Sequence, residues 1–191
     1  MAESMKGWKR SCRCGELSAA NAGETVTVMG WVQKQRNKGG IIFVDLRDRS
    51  GILQLIFEES DCGAGNFAKA EKVRSEYVIA VTGKVERRSG AVNENLATGE
   101  IEVRAAQIRI LAEAETPPFP IEADSRTKEE LRLKYRYLDL RRPDLQRNLM
   151  LRSRIATTIR AFLSEEGFLE IETPILNKST PEGARDYLVP S

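Results

Sequence analysis

The 191-residue sequence contains no histidine and only three cysteines. Without histidine, the chain cannot form a Ser-His-Asp triad or a Cys-His pair, and it has no imidazole ligand for a metal ion. Cys12 and Cys14 lie closer together than the cysteines of a zinc knuckle, and Cys62 is distant from both in sequence. We therefore expect free, reduced thiols and no metal site.

Long apolar segments are also missing. No apolar run approaches the roughly 18 residues that would span a bilayer, and the charged residues 1–16 lack the apolar centre of a secretory signal. These absences predict a cytoplasmic protein with no membrane partner. The hydrophobic fraction of 41% is still enough for a packed core, so the composition is that of a globular chain.

The charged residues divide the chain into three parts. Residues 1–123 carry 17 basic and 17 acidic side chains, residues 124–160 carry 11 and 5, and residues 161–191 carry 2 and 6. The charge changes close to the run TPPFP at residues 116–120, whose prolines favour an extended backbone. We therefore predict a first domain over residues 1–111, a linker over 112–126 and the truncated start of a second domain over 127–191.

The first domain has the alternating pattern of β-structure. Apolar residues at every second position predict five strands, over residues 25–33, 41–49, 52–57, 78–87 and 100–111. Phe67, Ala70 and Val73 predict one helix between the third and fourth strands, and a change of phase predicts a bulge near Ala105. Three strands, a helix and two strands are the element order of an OB-fold, which is a small, mainly β barrel.

Phe43 is the clearest candidate binding residue, because the alternation places its ring on the outward face of the second strand. An exposed ring offers a stacking surface for an unpaired base. Four polar candidates accompany it: Lys34 and Arg36 in a predicted loop over residues 33–40, and Gln54 and Glu102 on later strands. Two alternatives stay open, since a neighbouring loop can cover such a ring and a basic loop can simply be solvated.

The second segment begins a domain that it does not complete. Pro143 suits the first turn of a long helix, and Gly167 is placed to end that helix. Residues 168–173 then predict a strand that ends at Pro174, and residues 187–189 predict the start of another. The apolar surface of this segment exceeds what so short a stretch can bury, so we expect further strands or a partner chain to cover it.

Five runs in the sequence carry a resemblance to a known family: GWV at residues 30–32, FVDLRD at 43–48, LKYRYLDLRRP at 133–143, the run at 167–174, and the loop at 179–191. Together they resemble the N-terminal part of bacterial-type aspartyl-tRNA synthetases, which are class II enzymes. The resemblance covers nearly all of the chain after residue 10. The barrel is shared with the lysyl and asparaginyl enzymes, whereas the loop TPEGARD at 180–186 favours aspartate.

The resemblance implies roles for the five candidates in binding a tRNA anticodon. Phe43 resembles the ring that stacks on the middle anticodon base, and Gln54 resembles the amide that reads this base. Arg36 resembles a residue that contacts the first anticodon base, and Glu102 resembles a reader of the third. Lys34 falls in the same anticodon-binding region, where it would contact phosphates.

The resemblance also implies sites in the second domain. Residues 167–174 resemble motif 1 of class II enzymes, with Pro174 as the proline at the interface of a homodimer. Glu182 resembles the lid-loop carboxylate that helps to hold the α-ammonium group of bound L-aspartate, a pairing that suits its charge.

The family reaction is the ATP-dependent and Mg²⁺-dependent formation of aspartyl-adenylate, followed by transfer of the aspartyl group to the 3′ end of tRNA. The sequence lacks motifs 2 and 3, which hold ATP and magnesium in this family. The resemblance therefore implies an N-terminal fragment of an aspartate–tRNA ligase with no complete catalytic set. We expect this fragment to bind the anticodon loop, to bind no cofactor and to be inactive on its own.

Two alternatives from the sequence remain. The chain could be an autonomous OB-fold RNA-binding module without catalysis, although such a module has no use for the loop that contains Glu182. It could also derive from an asparaginyl or lysyl enzyme, in which case RNA with the corresponding anticodon would bind better.

Overall fold

The computed structural model describes residues 2–123 and 125–175. The chain divides into two compact units, Met1–Pro118 and Phe119–Ser191, and this division falls inside the predicted linker. Within the described residues, no helix has the length and apolar character that crossing a membrane requires. Glu182 and the strand predicted at residues 187–189 lie outside the described residues.

The first unit is a closed five-stranded barrel, as the sequence predicted. Its elements are β1 (Thr25–Asn37), β2 (Ile41–Asp48), β3 (Gly51–Glu58), α1 (Glu59–Lys72), β4 (Val78–Arg87) and β5 (Ile101–Ala112). The strand order around the barrel is β1-β2-β3-β5-β4. Strands β3 and β5 pair in parallel, and the other four pairs of neighbouring strands in the barrel are antiparallel. This closed OB-fold confirms the predicted fold class of the first domain.

The barrel interior is filled by the apolar residues that alternate along each strand. On β2 and β3 the side chains that point inward are completely buried: Ile42, Val44, Leu46, Leu53, Leu55 and Phe57. Burying one such side chain contributes about 1.5–3 kcal/mol relative to leaving it exposed. This packing fixes β2 and β3, and it directs the intervening residues of both strands to the outer face of the barrel.

The predicted bulge in β5 is confirmed. Thr82 on β4 pairs with Gln107, and the next residue, Gly83, pairs with Ala105, so Ala106 has no partner in the ladder. Because one residue is skipped, Ala105 and Ile108 both point into the core although three positions separate them.

The loop predicted over residues 33–40 is wrong in its extent. Strand β1 continues to Asn37, with Lys34 opposite Asp45 and Arg36 opposite Phe43. The apolar alternation stops at Val32, so the sequence pattern ends there, but the backbone hydrogen bonds to β2 do not depend on side chains and continue. The true connection is a tight turn at Gly39 and Gly40, which have φ angles of +61° and +98°.

An N-terminal arm, made up of residues 2–13, crosses the outside of the barrel. The Arg10 guanidinium donates a hydrogen bond to the Met29 carbonyl at 3.2 Å. Near the start of the arm, the Glu3 carboxylate accepts the backbone N–H of Ile110 at 2.8 Å. Met29 lies outside the core cluster yet is only 4% exposed. The arm therefore covers part of the outer barrel surface.

The described part of the second unit is helical, with α2 (Glu129–Lys134), α3 (Arg136–Asp139) and α4 (Pro143–Glu165). Pro143 occupies the first turn of α4, as predicted. Gly167 has a φ of +86°, and its N–H bonds to the Ser164 carbonyl at 3.1 Å, as expected for a glycine that ends a helix.

The strand predicted over residues 168–173 is wrong, because this segment has no regular structure. Leu169 and Ile171 are exposed, and Pro174 follows them on the surface. A strand requires a neighbour for its backbone hydrogen bonds, and none lies beside this segment among the residues that the structure covers. The apolar side of α4 is likewise exposed, at Leu149, Ile155, Ile159, Phe162 and Leu163.

Candidate nucleic-acid interface

An open groove of about 330 Å³ lies on the outer surface of the barrel. Four of the five predicted anticodon-binding residues line it: Arg36, Phe43, Gln54 and Glu102. Lys34 is exposed on β1, but it does not line the groove. The barrel therefore brings together side chains from four separated sequence positions, and Lys34 stays outside this cluster.

Phe43 occupies the middle of the row of outward-facing residues on β2. It is half-buried, it lies outside the core cluster, and its neighbours across the strands are Arg36 on β1 and Ile56 on β3. An aromatic side chain in this position presents apolar surface to the groove instead of filling the core. Such a surface can stack on an unpaired base of any sequence.

Gln54 and Glu102 form a polar pair beside Phe43. They lie on the adjacent strands β3 and β5 and are only 7% and 5% exposed. The Gln54 amide donates to the Glu102 carboxylate at 3.4 Å, which is long for a hydrogen bond. The amide and the carboxylate therefore keep hydrogen-bonding capacity that a base edge can use.

The environment of Glu102 disfavours its ionised form. Burial raises the pKa of the Glu102 carboxyl, although the backbone N–H of Ser89 and the positive charge of Arg88 act in the opposite direction. Because the folded protein holds this proton more tightly than the unfolded chain, the net effect on stability is unfavourable wherever Glu102 is ionised.

Glu102→Gln is expected to raise the melting temperature near neutral pH. The carboxyl pKa is about 4.3 in an unfolded chain and is higher in the folded barrel. The gain should therefore be absent below the unfolded pKa, grow as pH rises through the folded pKa, and remain constant above it. Thermal melts of both proteins from pH 4 to pH 8 measure this difference. A gain that is independent of pH would contradict the assignment to Glu102 ionisation.

Arg88 is a groove residue that the sequence analysis missed. It follows β4, at the start of a loop over residues 88–100 that forms one wall of the groove. Its Nε and Nη2 atoms are buried and have no hydrogen-bond partner within the described residues. Buried donors without partners are costly, so these atoms favour a ligand that carries acceptor oxygens or nitrogens. The signal that could have identified Arg88 is the pairing register of β4 and β5. Glu86 pairs with Glu102, and Arg88 is two residues further along the chain.

Arg104 also lines the groove, but its charge is already neutralised. Its guanidinium contacts Asp61 at 2.6 Å, Glu58 at 3.1 Å and Glu86 at 3.2 Å. These contacts hold Arg104 in place at the edge of the groove, and they leave it little net attraction for a phosphate.

Several hydrogen bonds fix the loop over residues 88–100, called the wall loop below, and two of them are the most informative. The Thr98 hydroxyl donates to the Ile52 carbonyl at 2.6 Å, and the Asn93 N–H donates to the Gly99 carbonyl at 3.1 Å. Gly99 has no space for a side chain, because a Cβ atom would lie 1.9 Å from the Asn93 carbonyl oxygen. By contrast, a Cβ atom on Gly90 in the same loop would meet nothing within 4 Å.

The structure describes one of the two sites predicted in the second domain. Pro174 is exposed in the second unit, and Glu182 lies in the part of the chain that is not described. No group of three or more Cys, Asp or Glu side chains among the described residues is arranged to hold a metal ion.

Two family models match the chain. The model for tRNA synthetases of class II (D, K and N) matches residues 128–191. The model for the OB-fold nucleic acid binding domain matches residues 26–111. The first match falls on the helical unit, and the second covers the strands of the barrel.

Curated relatives match over the full chain. It is 78% identical to the aspartate–tRNA(Asp/Asn) ligase of Lachnoclostridium phytofermentans and 69% identical to the aspartate–tRNA ligase of Agathobacter rectalis. All 191 residues align in both cases, and they cover 32% of each relative. The chain therefore spans about a third of the length of these relatives.

A solved structure is also similar to this chain. The asparaginyl-tRNA synthetase from Pyrococcus horikoshii, complexed with asparaginyl-adenylate, superposes with a TM-score of 0.79 at 26% identity. The match covers 93% of this chain and 39% of the archaeal one. The chain belongs to the bacterial aspartyl-tRNA synthetases of class II, and it comprises their anticodon-binding OB domain and the start of their class II synthetase domain.

Proposed function

We propose that the whole protein is an aspartate–tRNA ligase and that this chain binds the anticodon loop of its tRNA. The observation that carries the proposal is the groove, in which the Phe43 ring lies beside the Gln54–Glu102 pair. A stacking ring next to donors and acceptors that keep hydrogen-bonding capacity suits an unpaired base better than a duplex, because the base edges of a duplex are already paired.

The proposal gives each groove residue a role. Phe43 stacks on the middle anticodon base, Gln54 reads that base, Arg36 contacts the first base and Glu102 contacts the third. Lys34 lies beyond the groove, where it attracts phosphates without distinguishing bases. The proposed domains are residues 1–111 for anticodon binding, 112–126 for the linker and 127–191 for the start of the catalytic domain.

In the whole enzyme, which uses Mg²⁺ and acts in the cytoplasm, the L-aspartate carboxylate attacks the α-phosphate of ATP to form aspartyl-adenylate and release pyrophosphate. The 3′ end of tRNA then takes the aspartyl group, and AMP is released. Glu182 would hold the aspartate ammonium group. The exposed apolar side of α4 and the neighbouring Pro174 fit a homodimer interface, because apolar surface of this kind is covered when two copies associate. No described residue is assigned to ATP or to magnesium.

The proposal predicts that the 191-residue chain binds a stem–loop RNA with the aspartate anticodon and does not catalyse ATP–pyrophosphate exchange. Fluorescence anisotropy measures the affinity, with stem–loops that carry the asparagine and lysine anticodons as matched controls. Equal affinity for all three RNAs would contradict anticodon recognition. Robust exchange by the chain would contradict the proposal that adenylation needs residues outside it.

A further inference from the structure

We infer that Asp45 is a positioning residue, which holds the Arg36 guanidinium at the groove and so sets how strongly the neighbouring base is discriminated. This inference rests on the proposed function. Asp45 carries a negative charge close to a proposed binding site for a polyanion. Its charge alone should therefore weaken RNA binding.

A hydrogen-bonded ion pair connects Asp45 to the groove through Arg36. The two residues are diagonal neighbours across β1 and β2, because Arg36 lies opposite Phe43 and Asp45 lies two residues further along β2. Arg36 Nη2 donates to Asp45 Oδ1 at 2.7 Å. Arg36 lines the groove and Asp45 does not. Asp45 can therefore act on a bound base by fixing Arg36.

The ion pair leaves Arg36 ready for a second partner. The Arg36 Nε atom is buried and has no hydrogen-bond partner among the residues described. A guanidinium has five N–H donors in one rigid plane, so fixing Nη2 on Asp45 also fixes the direction of Nε. A ligand with an acceptor atom at this position would satisfy the buried donor without first having to order a flexible side chain.

The two possible roles of Asp45 predict opposite signs. If Asp45 only adds negative charge, or competes with RNA for Arg36, its removal strengthens binding. If Asp45 positions Arg36, its removal weakens binding, because the guanidinium must then be ordered when RNA binds. The positioning effect also vanishes when Arg36 is absent, whereas a general charge effect does not.

A double-mutant cycle on the 191-residue chain tests the inference, with the aspartate-anticodon stem–loop as the probe. We expect Asp45→Ala to weaken binding three- to tenfold. Asp45→Asn, which keeps an oxygen acceptor for Arg36, should stay within about twofold of wild type. In the Arg36→Ala background, Asp45→Ala should leave the affinity unchanged or raise it. If Asp45→Ala does not fold, Asp45→Val, which suits a strand and offers Arg36 no acceptor, replaces it in the same cycle.

A second measurement separates positioning from a structural effect. Stem–loops with an exchanged first anticodon base report discrimination, which Asp45→Ala should reduce. Lys34→Ala is the matched control, because it removes a charge from the opposite position on β1 and should lower the affinity for every RNA alike.

Three results would overturn the inference. The first is an affinity of Asp45→Ala that equals or exceeds that of wild type. The second is that Asp45→Ala lowers the affinity as much in the Arg36→Ala background as in wild type. If either occurs while Phe43→Ala abolishes or weakens binding, the proposed function stands and only the role of Asp45 fails. The third is a wild-type chain that binds none of the stem–loops, which overturns the proposed function as well.

Discussion

Phe43→Ala is expected to weaken binding of the aspartate-anticodon stem–loop by about 1–3 kcal/mol while the barrel stays folded. The ring lies outside the core cluster and lines the groove, so its removal takes away a stacking surface and leaves the interior packing intact. Anisotropy titrations measure the affinity, and thermal melts followed by circular dichroism report whether the barrel is folded.

Phe57→Ala is the matched control, because the same side chain is completely buried on the neighbouring strand. Removing it should lower the free energy of unfolding by about 3–5 kcal/mol, so the two phenylalanines should affect different measurements. If Phe43→Ala keeps full affinity in a folded barrel, then Phe43 is an ordinary packing residue and the groove has lost its main proposed contact.

Gly99→Ala is expected to lower the free energy of unfolding by about 2–4 kcal/mol and to weaken RNA binding roughly tenfold. The new Cβ atom would lie 1.9 Å from the Asn93 carbonyl oxygen. Because that oxygen belongs to the backbone, relief requires the wall loop itself to move. Arg88 and Ser89 belong to this loop, so their positions in the groove should change. Urea unfolding and anisotropy titrations measure the two effects.

Gly90→Ala provides the control for this substitution. It adds the same methyl group to the same loop, but the space around Gly90 is open. We expect stability close to wild type, and because Gly90 lines the groove this variant is the control for the unfolding measurement alone. If Gly99→Ala unfolds like Gly90→Ala and binds RNA like wild type, then the tight contact at Gly99 does not hold the groove wall in place.

Much of the barrel follows from local pattern. On β2, Ile42, Val44 and Leu46 recur at every second position, so the sequence alone placed Ile42 in the core and Phe43 outside it, and both placements agree with the structure. The bulge in β5 was also visible, since the inward phase changes between Val103 and Ile108. Alternation succeeds here because successive side chains of a strand point to opposite faces.

The positions of the groove residues were harder to predict from alternation along the strands. Lys34 and Arg36 follow the last apolar residue of β1, so no pattern distinguished a paired strand from a loop. Arg88 lies in a charged run, and only the pairing between β4 and β5 brings it beside Glu102. These placements depend on which strands pair, and that is information from distant parts of the sequence.

The predicted strand at residues 168–173 failed for a related reason. Its composition suits a strand, but a strand exists only as part of a sheet. Composition shows that a segment can form a strand. The segment forms one only where a neighbouring strand accepts and donates its backbone hydrogen bonds.

The N-terminal arm separates two ways of defining where this domain starts. The OB-fold family model begins to match at residue 26, yet Glu3 is bound to Ile110 and Trp8 lies 4.5 Å beneath the Arg109 guanidinium. The segment that the OB-fold model matches is therefore shorter than the unit that folds. A domain limit drawn at the start of that match would cut the arm, which forms part of the outer layer, away from the barrel.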